Sequence, residues 1–187
     1  SSYSQNIDTT VMPNGVVYVV AKIYDAVGNF TYSPKQRYMC DNQGPEQVKN
    51  VKCIAVDGTT ATLSWSDVSD DDISYFVVEC KQSDGVWKSV SRTSTNLGVN
   101  LSGLTPEHDY VYRVIGYDKR SNRGTPSEEI TVTTLKDTIC PKVTKITPDP
   151  GYFKSEINLR FTAEDDYRVK SIEIQTSTDK ESWKTVS

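Results

Sequence analysis

A chain of 187 residues, 36% hydrophobic and 25% charged, is long enough for one or two domains with a sizeable core. No apolar run approaches the roughly 18–20 residues of a membrane span, and Ser1-Ser2-Tyr3-Ser4-Gln5 has no signal-peptide character, so a mature or excised segment is expected. A net charge of −4 without a Lys/Arg stripe argues against nucleic acid, an anionic membrane surface or membrane insertion. A single histidine, His108, leaves almost no material for imidazole metal cages or acid/base machinery, and eleven Tyr beside two Met suit strands better than helices.

Taken in chain order, the apolar residues recur with a period of two. Val17, Val19, Ala21 and Ile23 alternate first, between the turn signals Pro13-Asn14-Gly15 and Val27-Gly28-Asn29. After Asp57-Gly58, the run Ala61-Thr62-Leu63-Ser64-Trp65 puts Ala, Leu and Trp on one face and Thr and Ser on the other. Phe76, Val78 and Cys80 alternate next and lead to the turn Ser83-Asp84-Gly85, and Tyr110, Tyr112 and Val114 follow in a later strand. Ile157-Asn158-Leu159-Arg160-Phe161 repeats the pattern with Asn and Arg outward. Nowhere is helical spacing sustained. Many short strands about ten residues apart predict an all-β fold of antiparallel two-sheet sandwiches.

Internal similarity organises these strands. Trp87-Lys88-Ser89-Val90-Ser91 returns 96 residues later as Trp183-Lys184-Thr185-Val186-Ser187. At the same offset, Ala61, Leu63 and Trp65 match Ile157, Leu159 and Phe161, while Ile73, Phe76 and Val78 match Val169, Ile172 and Ile174. At an offset of 93, Tyr24-Asp25 with Asn29 matches Tyr117-Asp118 with Asn122, and Met12-Pro13 matches Thr105-Pro106. The linker from Asp41 to Pro45 is similar to that from Asp137 to Pro141, so the repeat is close to 95 residues.

Residues 44–136 resemble a fibronectin type III domain. Pro45 opens the first strand, Trp65 lies in the second and Phe76-x-Val78 in the third. Leu104-Thr105-Pro106 precedes Tyr110 as in a tyrosine corner, the Asp118–Asn122 loop follows, and Ile130-Thr131-Val132-Thr133 is the last strand. Residues 139–187 resemble the first half of a bacterial immunoglobulin-like domain, and residues 1–41 the second half of the same type. Together these resemblances imply tandem Ig-like and fibronectin type III sandwiches, with two half-domains flanking a whole one. Half a sandwich cannot bury one sheet against another and leaves strand edges open. Short linkers at 41–45 and 137–141 disfavour closure within one chain. The chain is then either a slice of a longer array, or a subunit whose tail half completes the head half of the next copy.

Candidate sites are few. Asp67 and the run Asp70-Asp71-Asp72 are the most acidic spot, facing Lys119, Arg120 and Arg123 on the neighbouring loop. In the flanking halves, Asp165 and Asp166 with Asp25 and Asn29, beside Asp137, form a second group that meets only if the halves join. Clustered carboxylates are the residues that could hold calcium, which takes six to eight oxygens. The more ordinary use is Asx side chains bonding their own loop backbone. His108, in Pro106-Glu107-His108-Asp109, lacks the nucleophile turn and oxyanion hole of a triad. Trp87 and Trp183 follow hairpin turns, where sheet-edge packing is a commoner role than sugar stacking. Asn29-Phe30-Thr31 and Asn100-Leu101-Ser102 are sequons that matter only in a eukaryotic secretory pathway. Cys40, Cys53, Cys80 and Cys140 show no metal spacing; two disulfides would allow three connectivities, while Cys53 and Cys80 fall in phase with the core as buried thiols.

The expected function is therefore a non-catalytic, extracellular or cell-surface structural module of a bacterial protein: a stalk, spacer or filament subunit without a cofactor. Its partners would be neighbouring copies or adjacent domains of the same protein, with a glycan or host surface protein as a further class. The alternative is an accessory linker or binding module of a secreted polysaccharide-degrading enzyme. Catalytic carboxylates in the parent reading frame would favour the enzyme, and many more repeats of about 95 residues the stalk.

Overall fold

Short strands are the only regular structure among the described residues. The computed structural model describes residues 2–66 and 68–186, which hold fifteen strands and no helix. By contacts the chain divides into two compact units, one of residues 1–52, 64–99 and 111–130, the other of residues 53–63, 100–110 and 131–187.

Near the N-terminus, β1 (Gly15–Val19) pairs with β4 (Gln36–Cys40), and β2 (Lys22–Tyr24) pairs with β3 (Phe30–Tyr32). Strands β5 (Lys52–Val56), β6 (Thr60–Ser64) and β9 (Gly98–Ser102) form a three-stranded sheet in the order β5-β6-β9. A four-stranded sheet has the order β11-β10-β7-β8, with β7 Ile73–Lys81, β8 Trp87–Thr93, β10 Asp109–Asp118 and β11 Ile130–Thr133. Further along, β12 (Lys142–Thr147) pairs with β13 (Arg160–Glu164), and β14 (Gln175–Thr176) with β15 (Lys184–Thr185).

The expected alternation decides which side chains are buried. Ala61 and Leu63 of β6 are buried, and so are Phe76, Val78 and Cys80 of β7 and Tyr112 and Val114 of β10. Trp65 sits just past the end of β6, its backbone N–H bonded to Leu97 O at 3.0 Å, and its ring meets Phe76 edge-on at 5.6 Å. Val77 and Ile115 are buried as well, directly opposite each other in the β7–β10 ladder, so at that pair both faces of the sheet are covered. The tyrosine corner is present: the Tyr110 hydroxyl accepts the Thr105 N–H at 2.8 Å, beside buried Leu104. Tyr110→Phe is expected to cost about 1 kcal/mol, because an exposed N–H can turn to water instead, and urea unfolding measures it.

Three expectations are corrected. Pro45 is buried but does not open a strand; β5 begins at Lys52, and the segment between is held by Gln47 Nε2 on Pro126 O (2.9 Å) and by Ser66 N–H on Lys49 O (3.0 Å). Ile157 and Leu159 lie outside β13, because its partner β12 ends at Thr147 and the next residue, Pro148, has no N–H to extend the ladder. Cys53 is only half-buried, since β5 is an edge strand, whereas Cys80 is buried; all four cysteines are free thiols.

Candidate functional site

The acidic loops are built on one device used twice. Asp118, at the end of β10, is 1% exposed, and its Oδ1 accepts the N–H groups of Arg120 and Asn122, each at 2.8 Å. Asn122 Nδ2 donates to the other oxygen at 2.8 Å. Burial pushes this carboxyl upward, but the bonds from Asn122 and Arg120 outweigh it and hold the group below the usual aspartate range. Asp25 repeats the arrangement: Oδ1 accepts Val27 N–H (3.0 Å) and Asn29 N–H (2.8 Å), and Asn29 Nδ2 donates to Oδ2 at 2.7 Å. The Asn29 side-chain bond, aided by the backbone bonds, likewise lowers its pKa. The residue before each Asn has positive φ, Gly28 at 95° and Ser121 at 68°. Asp25 and Asn29 are thus bound to each other and to their own loop.

Around Asp118 the structure gathers a group whose third member is a linker residue. Carboxylate oxygens of Asp41, Asp72 and Asp118 lie within 4.8 Å of one another. Arg120 Nε pairs with Asp41 at 3.2 Å, and Asn122 Nδ2 donates to Asp41 O at 3.1 Å. A hydrogen bond with the Asp70 carboxyl raises the pKa of Asp72, helped by burial and by the charges of Asp70, Asp118 and Asp41. Asp71 contributes only its carbonyl, which accepts Lys119 Nζ at 3.1 Å. Asp67 lies outside the described residues.

A second group joins Asp137, Asp165 and Asp166, again within 4.8 Å. Thr59 Oγ1 donates to Asp166 Oδ2 at 3.1 Å, Arg168 N–H to Asp165 Oδ2 at 3.1 Å, and Ile139 N–H to Asp137 Oδ1 at 2.9 Å. Asp165 Oδ1 is buried without a partner among the described residues. Asp165 and Asp166 therefore come together with the linker residue Asp137.

The remaining candidates have structural surroundings. The His108 backbone N–H donates to Thr134 Oγ1 at 3.0 Å, and its ring meets Tyr110 edge-on at 4.8 Å. Trp87 is half-buried, with the Arg113 guanidinium 4.0 Å from its ring centre; Trp183 is exposed. Arg113 is in turn clamped by Glu79 at 2.7 and 2.8 Å, which also holds Arg123 at 3.3 Å. This Glu79–Arg113–Arg123 network escaped the sequence reading, because its strands meet only through the β7–β10 register. The one available signal was a charged residue on the outward phase of each strand.

Residues 46–133 match the family model of the fibronectin type III domain. Among solved structures, the fibronectin type III domain of human fibronectin type III domain containing protein 3 is 25% identical over 52% of this chain and 93% of its own, with a TM-score of 0.47. The FN1–FN3 domains of chicken CNTN1 are 18% identical over 70% of this chain and 46% of theirs, with a TM-score of 0.50, a likeness of fold. No curated protein matches the sequence. The chain is all-β, and its residues 46–133 form a fibronectin type III domain.

Proposed function

We propose that the chain is a non-catalytic structural segment of an extracellular bacterial surface protein, a spacer whose β-sandwich modules follow one another through fastened linkers. Fold alone does not assign a role, so the reading rests on the linkers. The observation that carries it is that the first linker is tied down by several independent contacts and the entry to the second is held as well. At the first, Asp41 is held by Arg120 and Asn122, and a Cβ on Gly44 would stand 2.3 Å from the Arg123 backbone, so the chain passes there at a spacing only glycine allows. At the second, Leu135 N–H bonds Asp57 O at 3.1 Å, and a Cβ on Gly58 would lie 3.1 Å from the Asp137 backbone. Flexible tethers would show polar, unpaired linkers instead.

The extracellular and bacterial parts of the reading come from the likeness of residues 1–41 and 139–187 to halves of bacterial immunoglobulin-like domains. Its partners are neighbouring modules of the same protein. Antibodies raised against the chain are expected to label intact, unpermeabilised source cells. Labelling only after permeabilisation would overturn the assignment.

A further inference from the structure

The first linker is fastened to the turn that opens β1, and the fastening runs through one side chain. Asn14 Oδ1 accepts Asn42 N–H at 2.8 Å, and Asn14 Nδ2 donates to Gln43 Oε1 at 3.2 Å. A backbone N–H can only donate, so the Asn14 amide is oriented with its nitrogen toward Gln43. Asn42 is held from its own side as well, its Nδ2 donating to Thr9 O at 2.6 Å. Asn14, Asn42 and Gln43 are all exposed, so these bonds compete with water and open locally.

The residue after Asn14 is glycine, and no other asparagine in the chain is followed by one. Gly15 has a φ of 111°, which suits glycine, and a Cβ there would meet nothing within 4 Å. Nothing therefore stands where a side chain would shield the peptide that joins Gly15 to Asn14.

We infer that Asn14 is a site of spontaneous, non-enzymatic modification to isoaspartate, guarded by the linker it fastens. This deepens the spacer reading and rests on it for the fastened linker. In the first step the Gly15 nitrogen attacks Asn14 Cγ and gives up its proton. The side-chain nitrogen leaves as ammonia, and a succinimide ring closes. Water then opens the ring. Addition at Cγ gives aspartate, and addition at the main-chain carbonyl carbon of Asn14 gives isoaspartate, in which the chain runs through Cγ. Either route takes up one water for the ammonia lost, without oxidant or reductant. The attack needs Cγ to swing toward the Gly15 nitrogen, whereas the bonds to Asn42 and Gln43 hold the amide on the linker. Reaction thus proceeds from the opened state, in proportion to its population.

The two products differ in what they do to the linker. Aspartate keeps an acceptor for Asn42 N–H, and the exposed Gln43 amide can turn to donate. Isoaspartate inserts a methylene into the main chain where β1 begins, at the Gly15–Cys40 pair, and carries its free carboxylate on Cα instead. It cannot reproduce both bonds, so a chain modified in this way does not refasten.

Peptide mapping by mass spectrometry on the full chain, incubated at mildly alkaline pH, tests this. Asn14 is expected to convert with isoaspartate among its products, and several-fold more slowly in the folded chain than in urea. Gln43→Ala removes one exposed bond of the clamp and is expected to speed conversion in the folded chain about two- to tenfold, with no change in urea. Once the isoaspartate form is separated by chromatography, its Asn42 amide is expected to exchange hydrogen faster than in the unmodified chain, while Asn14→Asp keeps it slow. Conversion as fast in the folded chain as in urea, no acceleration in Gln43→Ala, or an isoaspartate form whose Asn42 amide exchanges at the unmodified rate overturns the inference. None of these results moves the spacer reading, which the labelling of intact cells decides.

Discussion

Phe76→Ala is expected to destabilise the fibronectin type III domain by about 3–5 kcal/mol, the cost of lost burial plus a residual cavity. Phe76 is 1% exposed and packs edge-on against Trp65, so the surrounding side chains have little room to collapse. A domain of this size holds roughly 5–10 kcal/mol in total, and the loss is about half of it. Ile172→Ala, at the corresponding place 96 residues later, is expected to change unfolding of the single chain by less than about 0.5 kcal/mol, because that side chain is already 54% exposed. Urea unfolding followed by circular dichroism compares the two. Equal losses would contradict the exposed placement of Ile172.

Asp118→Ala is the second large effect, expected to cost about 2–4 kcal/mol, since it removes a buried acceptor from two backbone N–H groups and the Asn122 amide. The pH dependence has a definite sign. The folded carboxyl of Asp118 lies below its unfolded value, so its stabilisation is present above the unfolded pKa and is lost as the pH falls through the folded one. Asp72 acts in the opposite sense. Its folded pKa is raised by the Asp70 bond, burial and the neighbouring carboxylates, so its contribution is present below its unfolded pKa and lost as pH rises through the folded value. Thermal midpoints from pH 3 to 7 are therefore expected to fall less on acidification in Asp118→Ala than in the wild type, and Asp72→Asn is expected to raise the midpoint at neutral pH. An Asp118→Ala profile parallel to the wild type would contradict the assignment of the buried carboxylate.

Much of the fold was legible because it depends on period-two patterning and short-range turn chemistry. Ala61, Leu63 and Trp65 face inward as their spacing requires, Tyr110 closes its corner, and Asp118 and Asp25 bond their own loops in the way Asx residues do. The repeats reached further than patterning, since two offsets carried over even the facing residues of the hairpins. What depends on register between distant strands was not legible. Glu79 meets Arg113 only because Val77 lies opposite Ile115, and that same pair is buried although the alternation of β7 and β10 points it outward. Asp41 and Asp137 read as linker residues, yet each completes an acidic group, because those groups depend on where a linker passes rather than on its composition. The late start of β13 reflects its partner running out at Pro148, which the apolar run Ile157–Phe161 cannot register.

Amide hydrogen exchange on the chain tests the central claim most directly: residues 46–133 form one complete sandwich. In that domain β7 and β10, buried and paired with each other and with a further strand each, are expected to be strongly protected. Strands β2 and β14, exposed and each with a single ladder partner among the described residues, are expected to exchange faster. Exchange of β7 and β10 as fast as that of β2 and β14 would contradict the account.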